Sequence, residues 1–478
     1  MFRRANRYVS STFLVLALIF SHLGQLQAQS SKTPPLELPT NIIILFADGA
    51  TTTQWEFGRY SSELIRKKRF AVTQDVINRG VFGLMTTSSN NAYVTDSAAA
   101  ASAMSTGHKV NNGSISMSPD GNPLPTLLAD AQKRGKQIGL ISTATIYDAS
   151  PAAFSVNVKS RRDYQEIVDQ YFILKPHVLM GGGIDYFLPT NQVAGKRKDG
   201  RNLLDEFMAQ GYQIHRSIGD LSRVQRKPLL GLFAEEDMDF EIDRDPKIQP
   251  SLAQMTRAAL EALDPKRGFV LFVENESIDT AGHRNDVAAL MHDLWAFDDA
   301  VKVALEFQKR HPKTLLIVTG DHETGGFSPT YAMKSLSGGK NNQLYVDDVQ
   351  MRRIAGFKIS LQELSDRLDK KSKEGVGSEG MRTYLIAQLE ENFPGIRLEP
   401  DFEKAILEKQ PQQLNQTYVP ANLLAQMIAR QTGFYWGTSG HTPEPALVAA
   451  IGPGASLFKG YLDNTDFAKI LRQLMAIK

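Results

Sequence analysis

No cysteine occurs in the 478 residues. Disulfides, thiolate metal ligands and a lipid-modified N-terminal cysteine are thereby excluded. An exported chain without disulfides draws its stability from its core and from bound metal. Charge of one sign is not in excess either, since the net charge is +2. Residues 1–28 contain Arg3, Arg4 and Arg7 but no lysine or acid, so the remainder carries a net charge of −1. That balance makes no case for nucleic-acid or membrane-surface binding. Long apolar runs are also missing. The run at 12–20 is too short to span a bilayer comfortably. Three arginines precede it and Leu26, Gln27 and Ala28 follow it as a cleavage site, which predicts a signal peptide over 1–28. The alternative, an uncleaved anchor, lacks the length. The protein is therefore expected in the periplasm or secreted, with no stable membrane span once the signal is removed. Internal repeats are absent.

What is present is an alternation of apolar runs and amphipathic stretches. Residues 41–46, 137–141, 177–180, 269–273, 315–318 and 446–451 are continuous apolar runs, the mark of strands buried on both faces. Helical patterns at 125–134, 251–263 and 286–310 lie between them. The expected fold is α/β, a mostly parallel central sheet with helices on both faces. Ligands in such sheets bind beyond the carboxyl ends of the strands, where several of these runs meet an acid or a histidine. Polar, proline-bearing residues 29–40 read as a flexible lead-in, and 41–478 as one catalytic domain. Within it, 328–427 opens with a glycine-rich stretch at 336–342. Helical patterns follow at 361–373 and 381–393, and the whole reads as an insertion near the mouth of the site.

The stretch 93–109 is the centre of the functional reading. An alanine run at 98–101 propagates helix. Thr95, Asp96 and Ser97 before it are all good N-cap residues, and Gly107 is a natural stop. Ser97 is thus placed at or near a helix N-terminus, where an anion is favoured. A serine that attacks phosphate would want that position, although a plain capping serine has the same signature. Asp279 and His283 are four apart and share one helical face, as a metal pair requires; a surface ion pair has the same spacing. Asp321 and His322 follow a strand, and His441 stands in a Ser-Gly-His-Thr-Pro loop. Taken singly, His322 could be a core histidine and His441 a loop residue. Carboxylate and imidazole donors without thiolate suit a catalytic zinc site.

Together these stretches resemble the alkaline phosphatases. The motifs are Thr-Asp-Ser-Ala-Ala from Thr95, Val-Glu-Asn-Glu-Ser-Ile-Asp-Thr-Ala-Gly-His from Val273, Val-Thr-Gly-Asp-His-Glu-Thr-Gly from Val318, and Gly-His-Thr from Gly440. Phe-Ala-Asp-Gly from Phe46, Asp-Ala-Ser-Pro-Ala-Ala-Phe from Asp148, and Ser160-Arg161 follow the same order along the chain. The resemblance covers about 40–330 and 430–455. It implies hydrolysis of small phosphate monoesters through a phosphoserine on Ser97. It implies two Zn2+ ions, one on Asp279, His283 and His441, the other on Asp48, Asp321 and His322. Asp48 would bridge to a third site, Mg2+ with Glu274 and Ser150, where Asp148 acts through water. Arg161 would clamp phosphate, with Asp96 orienting it. A homodimer is a further implied partner, and the insertion has two readings, a lid or a dimer contact.

Departures from the family pattern are local. Ala47 and Ala50 flank the bridging aspartate in place of the usual Gly-Asp-Gly-Met-Gly pattern. Ser150 stands where threonine is common, and Thr280 where lysine, histidine or tryptophan is usual, which leaves the third metal open. His22, His108, His177, His215, His292 and His311 lie outside the matched motifs and are not expected to bind metal. The basic run 66–69 reads as a solvated face. Two alternatives share features of this pattern. A phosphodiesterase or sulfatase on the same metal core fits Arg161 and a serine nucleophile less well. A non-catalytic phosphate- or metal-binding protein would lack a nucleophile or ligand, and none is missing.

Overall fold

Continuous apolar runs become strands because both of their faces can be buried, and the computed structural model of the chain shows this for each run. It describes residues 36–333 and 343–477. The signal-peptide reading of 1–28, most of the lead-in and the glycine-rich stretch 336–342 lie outside the described residues. Residues 38–478 form one compact unit. Its centre is a ten-stranded sheet. In chain order the strands are β1 (Asn41–Ala47), β2 (Val81–Met85), β3 (Gln137–Thr145), β4 (Val178–Gly182), β5 (Gln213–His215), β6 (Leu229–Leu232), β7 (Phe269–Asn275), β8 (Thr314–Thr319), β9 (Ala446–Ile451) and β10 (Gly460–Leu462). Across the sheet the order is β10-β2-β9-β8-β1-β7-β3-β4-β6-β5.

From β8 to β5 every pairing is parallel. β9 is the exception and runs antiparallel to both β8 and β2. The sheet is therefore mixed but mostly parallel, and the start of β9 lies at the same end as the carboxyl ends of its parallel neighbours.

Alternation along each strand divides the core between the two faces. Ile43, Leu45, Leu271, Val273, Leu316 and Val318 face one side. Ile42, Ile44, Phe46, Val270, Phe272, Leu315 and Ile317 face the other. Each such side chain contributes about 1.5–3 kcal/mol when fully buried, so these central strands form the rigid platform of the molecule. On the second face packs α1 (Ser97–Thr106), which is buried along its whole length. On the first face pack α2 (Ser277–Arg284) and α3 (Val287–Arg310). α4 (Leu361–Lys373) and α5 (Ala421–Thr432) join that same core through Leu361, Leu364, Leu368, Leu423 and Leu424. Among the described residues no helix is long and apolar enough to cross a membrane.

The basic run is not uniformly solvated. Arg66 turns inward: its Nη2 reaches both Asp299 carboxylate oxygens on α3, at 2.6 and 2.7 Å, and its Nη1 donates to the Trp295 carbonyl at 3.2 Å.

Candidate active site

The parallel strands deliver their polar ends to one edge of the sheet. β1 ends in a tight turn through Asp48 and Gly49. Gly49 has φ +77°, and a Cβ there would stand 2.8 Å from the Asp279 Cα, so no larger residue fits. Glu274 is the penultimate residue of β7, and α2 follows at once with Asp279 and His283 one turn apart. β8 leads into Asp321 and His322. His441 arrives from the opposite direction, just ahead of antiparallel β9. A two-residue ribbon then pairs His441 with Thr324 and Thr442 with Glu323, which sets His441 beside His322 although 118 residues separate them in the chain.

Two sets of donor atoms converge here. In the first, His283 Nε2 lies 3.1 Å from Asp279 Oδ2 and 3.2 Å from His441 Nε2, and His441 Nε2 lies 3.7 Å from Asp279 Oδ1. In the second, His322 Nε2 lies 3.2 Å from Asp321 Oδ2 and 3.5 Å from Asp48 Oδ1. The sets touch: the His322 and His441 rings stack at 3.7 Å, and Asp279, His322 and His441 also offer atoms close enough to share one ion. A third group adjoins them. Ser150 donates to Asp48 Oδ2 at 3.2 Å, and Glu274 accepts from Ser142 at 2.5 Å.

The donor chemistry fits metal cations. His283 Nδ1 faces the Ser439 carbonyl at 2.7 Å and His441 Nδ1 faces the Thr95 carbonyl at 2.8 Å. Carbonyls only accept, so both Nδ1 atoms carry a proton, and in the neutral imidazoles both Nε2 lone pairs face inward. Two lone pairs 3.2 Å apart repel unless a cation lies between them. Asp48 Oδ1, Glu274 Oε1 and Asp321 Oδ2 are buried and accept no hydrogen bond among the described residues. Burial, reinforced by neighbouring carboxylates, pushes Asp48 well above the carboxylate range. Burial does the same to Glu274 and raises Asp321 to about 7. Asp279 goes the other way: burial opposes it, but the three histidines hold it well below that range. Such a cluster is completed by positive charge.

Ser97 is the first residue of α1, and Asp96, not Ser97, is the cap, accepting from Ala99 N at 2.9 Å. The Ser97 hydroxyl is thereby free of the capping role and stands 3.1 Å from His322 Nε2. Asp96 also accepts from Gly113 N at 2.8 Å. Arg161 reaches Asp96 and Asp148 at 3.4 Å each, so its orientation has two partners where the sequence pointed to Asp96 alone. Both contacts are long, and the fork is placed without being saturated.

Three supporting residues are missed by the sequence reading. Ser142 holds Glu274. The Thr324 hydroxyl lies 3.2 Å from His322 Nδ1 and donates to Asp279. Glu323 accepts from Gln54 (2.8 Å), Thr442 (2.7 Å) and the Gly326 and Phe327 amides (3.0 Å each). The signal for the last two was their place directly after His322. Glu323→Ala should leave the buried Phe327 amide, the half-buried Gly326 amide and two side chains without their acceptor, at a cost of about 3 kcal/mol. The denaturant midpoint measures this; an unchanged midpoint would show the loop to be held by other contacts.

Residues 39–477 match the family model described as alkaline phosphatase. The chain belongs to the alkaline phosphatase family. It is 31% identical over 470 residues to alkaline phosphatase 3 of Bacillus subtilis, covering 96% of this chain and 94% of that one. Among solved structures it is similar to the alkaline phosphatase of Thermus thermophilus, with a TM-score of 0.82 at 28% identity and 95% of each chain covered. The cold-active alkaline phosphatase of Shewanella sp. superposes with a TM-score of 0.72 at 29% identity, over 92% of this chain and all of that one. As an alkaline phosphatase the protein is a metal-binding hydrolase of phosphate monoesters.

Proposed function

We propose that Ser97 is the nucleophile and that inorganic phosphate is released through a phosphoserine at that residue. One observation carries the reading: a buried hydroxyl at the first position of a helix, 3.1 Å from His322, beside two convergent donor sets. Free N–H groups and the dipole at the start of α1 favour a phosphate dianion there. Asp279, His283 and His441 would hold one zinc ion, and Asp48, Asp321 and His322 a second. Asp48, Glu274 and Ser150 are an oxygen-only set suited to magnesium, with Asp148 beside it. When bound, these ions supply positive charge to the attacking and leaving oxygens of an in-line displacement.

The protein's own groups do the rest. The His322 Nε2 that lies 3.1 Å from the Ser97 hydroxyl is the atom that would hold the second ion, so that ion would stand beside the nucleophile. Thr324, Ser142 and the Ser439 and Thr95 carbonyls hold the ligand side chains in their rotamers. Arg161, placed by Asp96 and Asp148, offers its remaining N–H donors to two non-bridging oxygens of the phosphate. The basic, apolar and small-residue order of 1–28 supports export to the periplasm or beyond.

Arg161 tests the substrate class. A monoester dianion has three non-bridging oxygens, enough for the fork as well as the rest of the site, whereas a diester has one fewer and an added substituent that crowds the fork. Arg161→Ala should cost monoester hydrolysis about 2–5 kcal/mol in kcat/KM, and diester hydrolysis much less. Arg161→Lys should recover part of the loss, since an ammonium lacks the planar two-point contact. Matched aryl monoesters and diesters give the measurement. Equal losses on both would make Arg161 structural and remove the main residue-level support for a monoester preference.

A further inference from the structure

An in-line displacement sends the leaving oxygen away from the attacking hydroxyl. Resting on Ser97 as that nucleophile, the rings beside it trace where the leaving group goes. Ser97 Oγ meets His322 at 3.1 Å, His322 stacks on His441 at 3.7 Å, and the His441 and His283 centroids are 5.0 Å apart. The row continues to Tyr418, whose centroid is 5.4 Å from that of His283. Tyr418 is thus the last ring in this succession of contacts, beside His283. Its ring is half-buried, and its hydroxyl makes no hydrogen bond among the described residues.

The ring is also held in advance of any ligand. Tyr418 N donates to Asn422 Oδ1 at 2.7 Å, and Asn422 Nδ2 donates to the His283 carbonyl at 3.0 Å. Thr417 N donates to Ser439 Oγ at 3.4 Å, and the Ser439 carbonyl is the one that orients His283. The Arg284 guanidinium stands 5.3 Å from the Tyr418 centroid and adds a cation–π contact. The stretch that carries the tyrosine is therefore bonded to the stretch that anchors a ligand histidine. A half-exposed aromatic fixed in this way presents a flat apolar surface at little entropic cost on binding.

We propose that Tyr418 is the wall of a leaving-group subsite and favours monoesters whose leaving group is aromatic over those of small alkyl alcohols. Aromatic pairs prefer offset or edge-to-face contact at centroid distances of 4.5–7 Å, and a phenol leaving group can make such a contact where an ethyl group cannot.

The test uses the full-length, metal-loaded enzyme and its Tyr418→Leu and Tyr418→Phe variants. kcat/KM is measured for phenyl phosphate and ethyl phosphate, and the variant-to-parent ratio removes the intrinsic reactivity of each ester. Inhibition constants for phenylphosphonate, methylphosphonate and inorganic phosphate report binding without turnover. Tyr418→Leu should lose about two- to tenfold more on phenyl phosphate than on ethyl phosphate, and the same factor in affinity for phenylphosphonate relative to methylphosphonate. Tyr418→Phe should keep the parent preference. Uniform losses across both esters and all three inhibitors would overturn the proposal and leave Tyr418 as a prop for His283; so would no change in any of them. Acid-quenched phosphoenzyme from the parent reports on Ser97 separately, so a failed subsite is distinguishable from a wrong nucleophile.

Discussion

Ser97→Ala should abolish the phosphoenzyme and lower kcat by about 10³–10⁶-fold, the range expected when a nucleophile is removed and the rest of the site survives. The floor is set by what remains: both donor sets, Arg161 and the start of α1 are untouched by the loss of one hydroxyl. The fold should hardly notice. Ser97 is not the cap of α1, so Asp96 continues to satisfy the Ala99 amide. Alanine also extends the alanine run, which favours helix. Rapid acid quench with phosphate-labelled aryl ester counts phosphoserine, and steady-state turnover and a thermal melt complete the set. Near-normal turnover with an unchanged melt would remove Ser97 from the chemistry. A Ser97→Ala protein that still trapped phosphate covalently would move the nucleophile to another residue.

Much of this arrangement was legible in the chain. Asp279 and His283 read as one helical face because i,i+4 spacing is local, and α2 places them so. The start of α1 read correctly for the same reason, with Gly107 closing it at φ +79°. Which of Thr95, Asp96 and Ser97 caps the helix was not legible, because all three residue types cap well. The contact of Asp96 with Gly113 N and Arg161, both distant in sequence, accompanies the role it takes. His441 was visible as a residue in a motif, but its place was not. That depends on the Glu323–Thr324 pairing and on β9 running antiparallel, and an apolar run buried on both faces says nothing about direction. β2 went unread because near the sheet edge it need not be apolar throughout: Phe82 is 53% exposed and Gly83 interrupts the pattern. Ser142 and Thr324 were hidden because their importance lies in a single long-range or cross-strand hydrogen bond.

Removing metal should have the largest effect of all, on stability as well as on activity. Chelation should bring turnover to background, and zinc with magnesium should restore it. Each ion held at a free concentration a thousandfold above its Kd contributes about 4 kcal/mol to the folded state. Losing several should lower Tm on the order of 10 °C in a chain of this size. The pH dependence of the stripped protein carries the sharper information. Asp48, Glu274 and Asp321 have folded pKa values above the unfolded value of about 4. Their contribution to stability is full below that value and is lost as pH rises through each folded pKa, about 7 for Asp321 and raised well above the carboxylate range by burial for Asp48 and Glu274. Every such group still protonated costs the folded state about 1.4 kcal/mol per pH unit. Asp279 is shifted the opposite way, so its contribution is already complete at neutral pH and is lost only in acid. Burial lowers His322 and His441, which makes them destabilising in acid; above about pH 7 they are largely neutral in both states and add little slope. His283 is raised by Asp279 against its burial, and its contribution also fades as pH rises. The stripped protein should therefore lose stability from pH 7 to pH 9. The loaded protein should not, because its carboxylates are ionised and paired with cations throughout and metal binding strengthens as ligands deprotonate. The gap in Tm between the two forms should widen over that window. Scanning calorimetry at pH 7 and pH 9, with metal content verified for both forms, measures it. Equal melting temperatures for the stripped protein at the two values, or full activity at zero metal, would mean that the buried acids are satisfied by the protein alone and that cations do not complete this site.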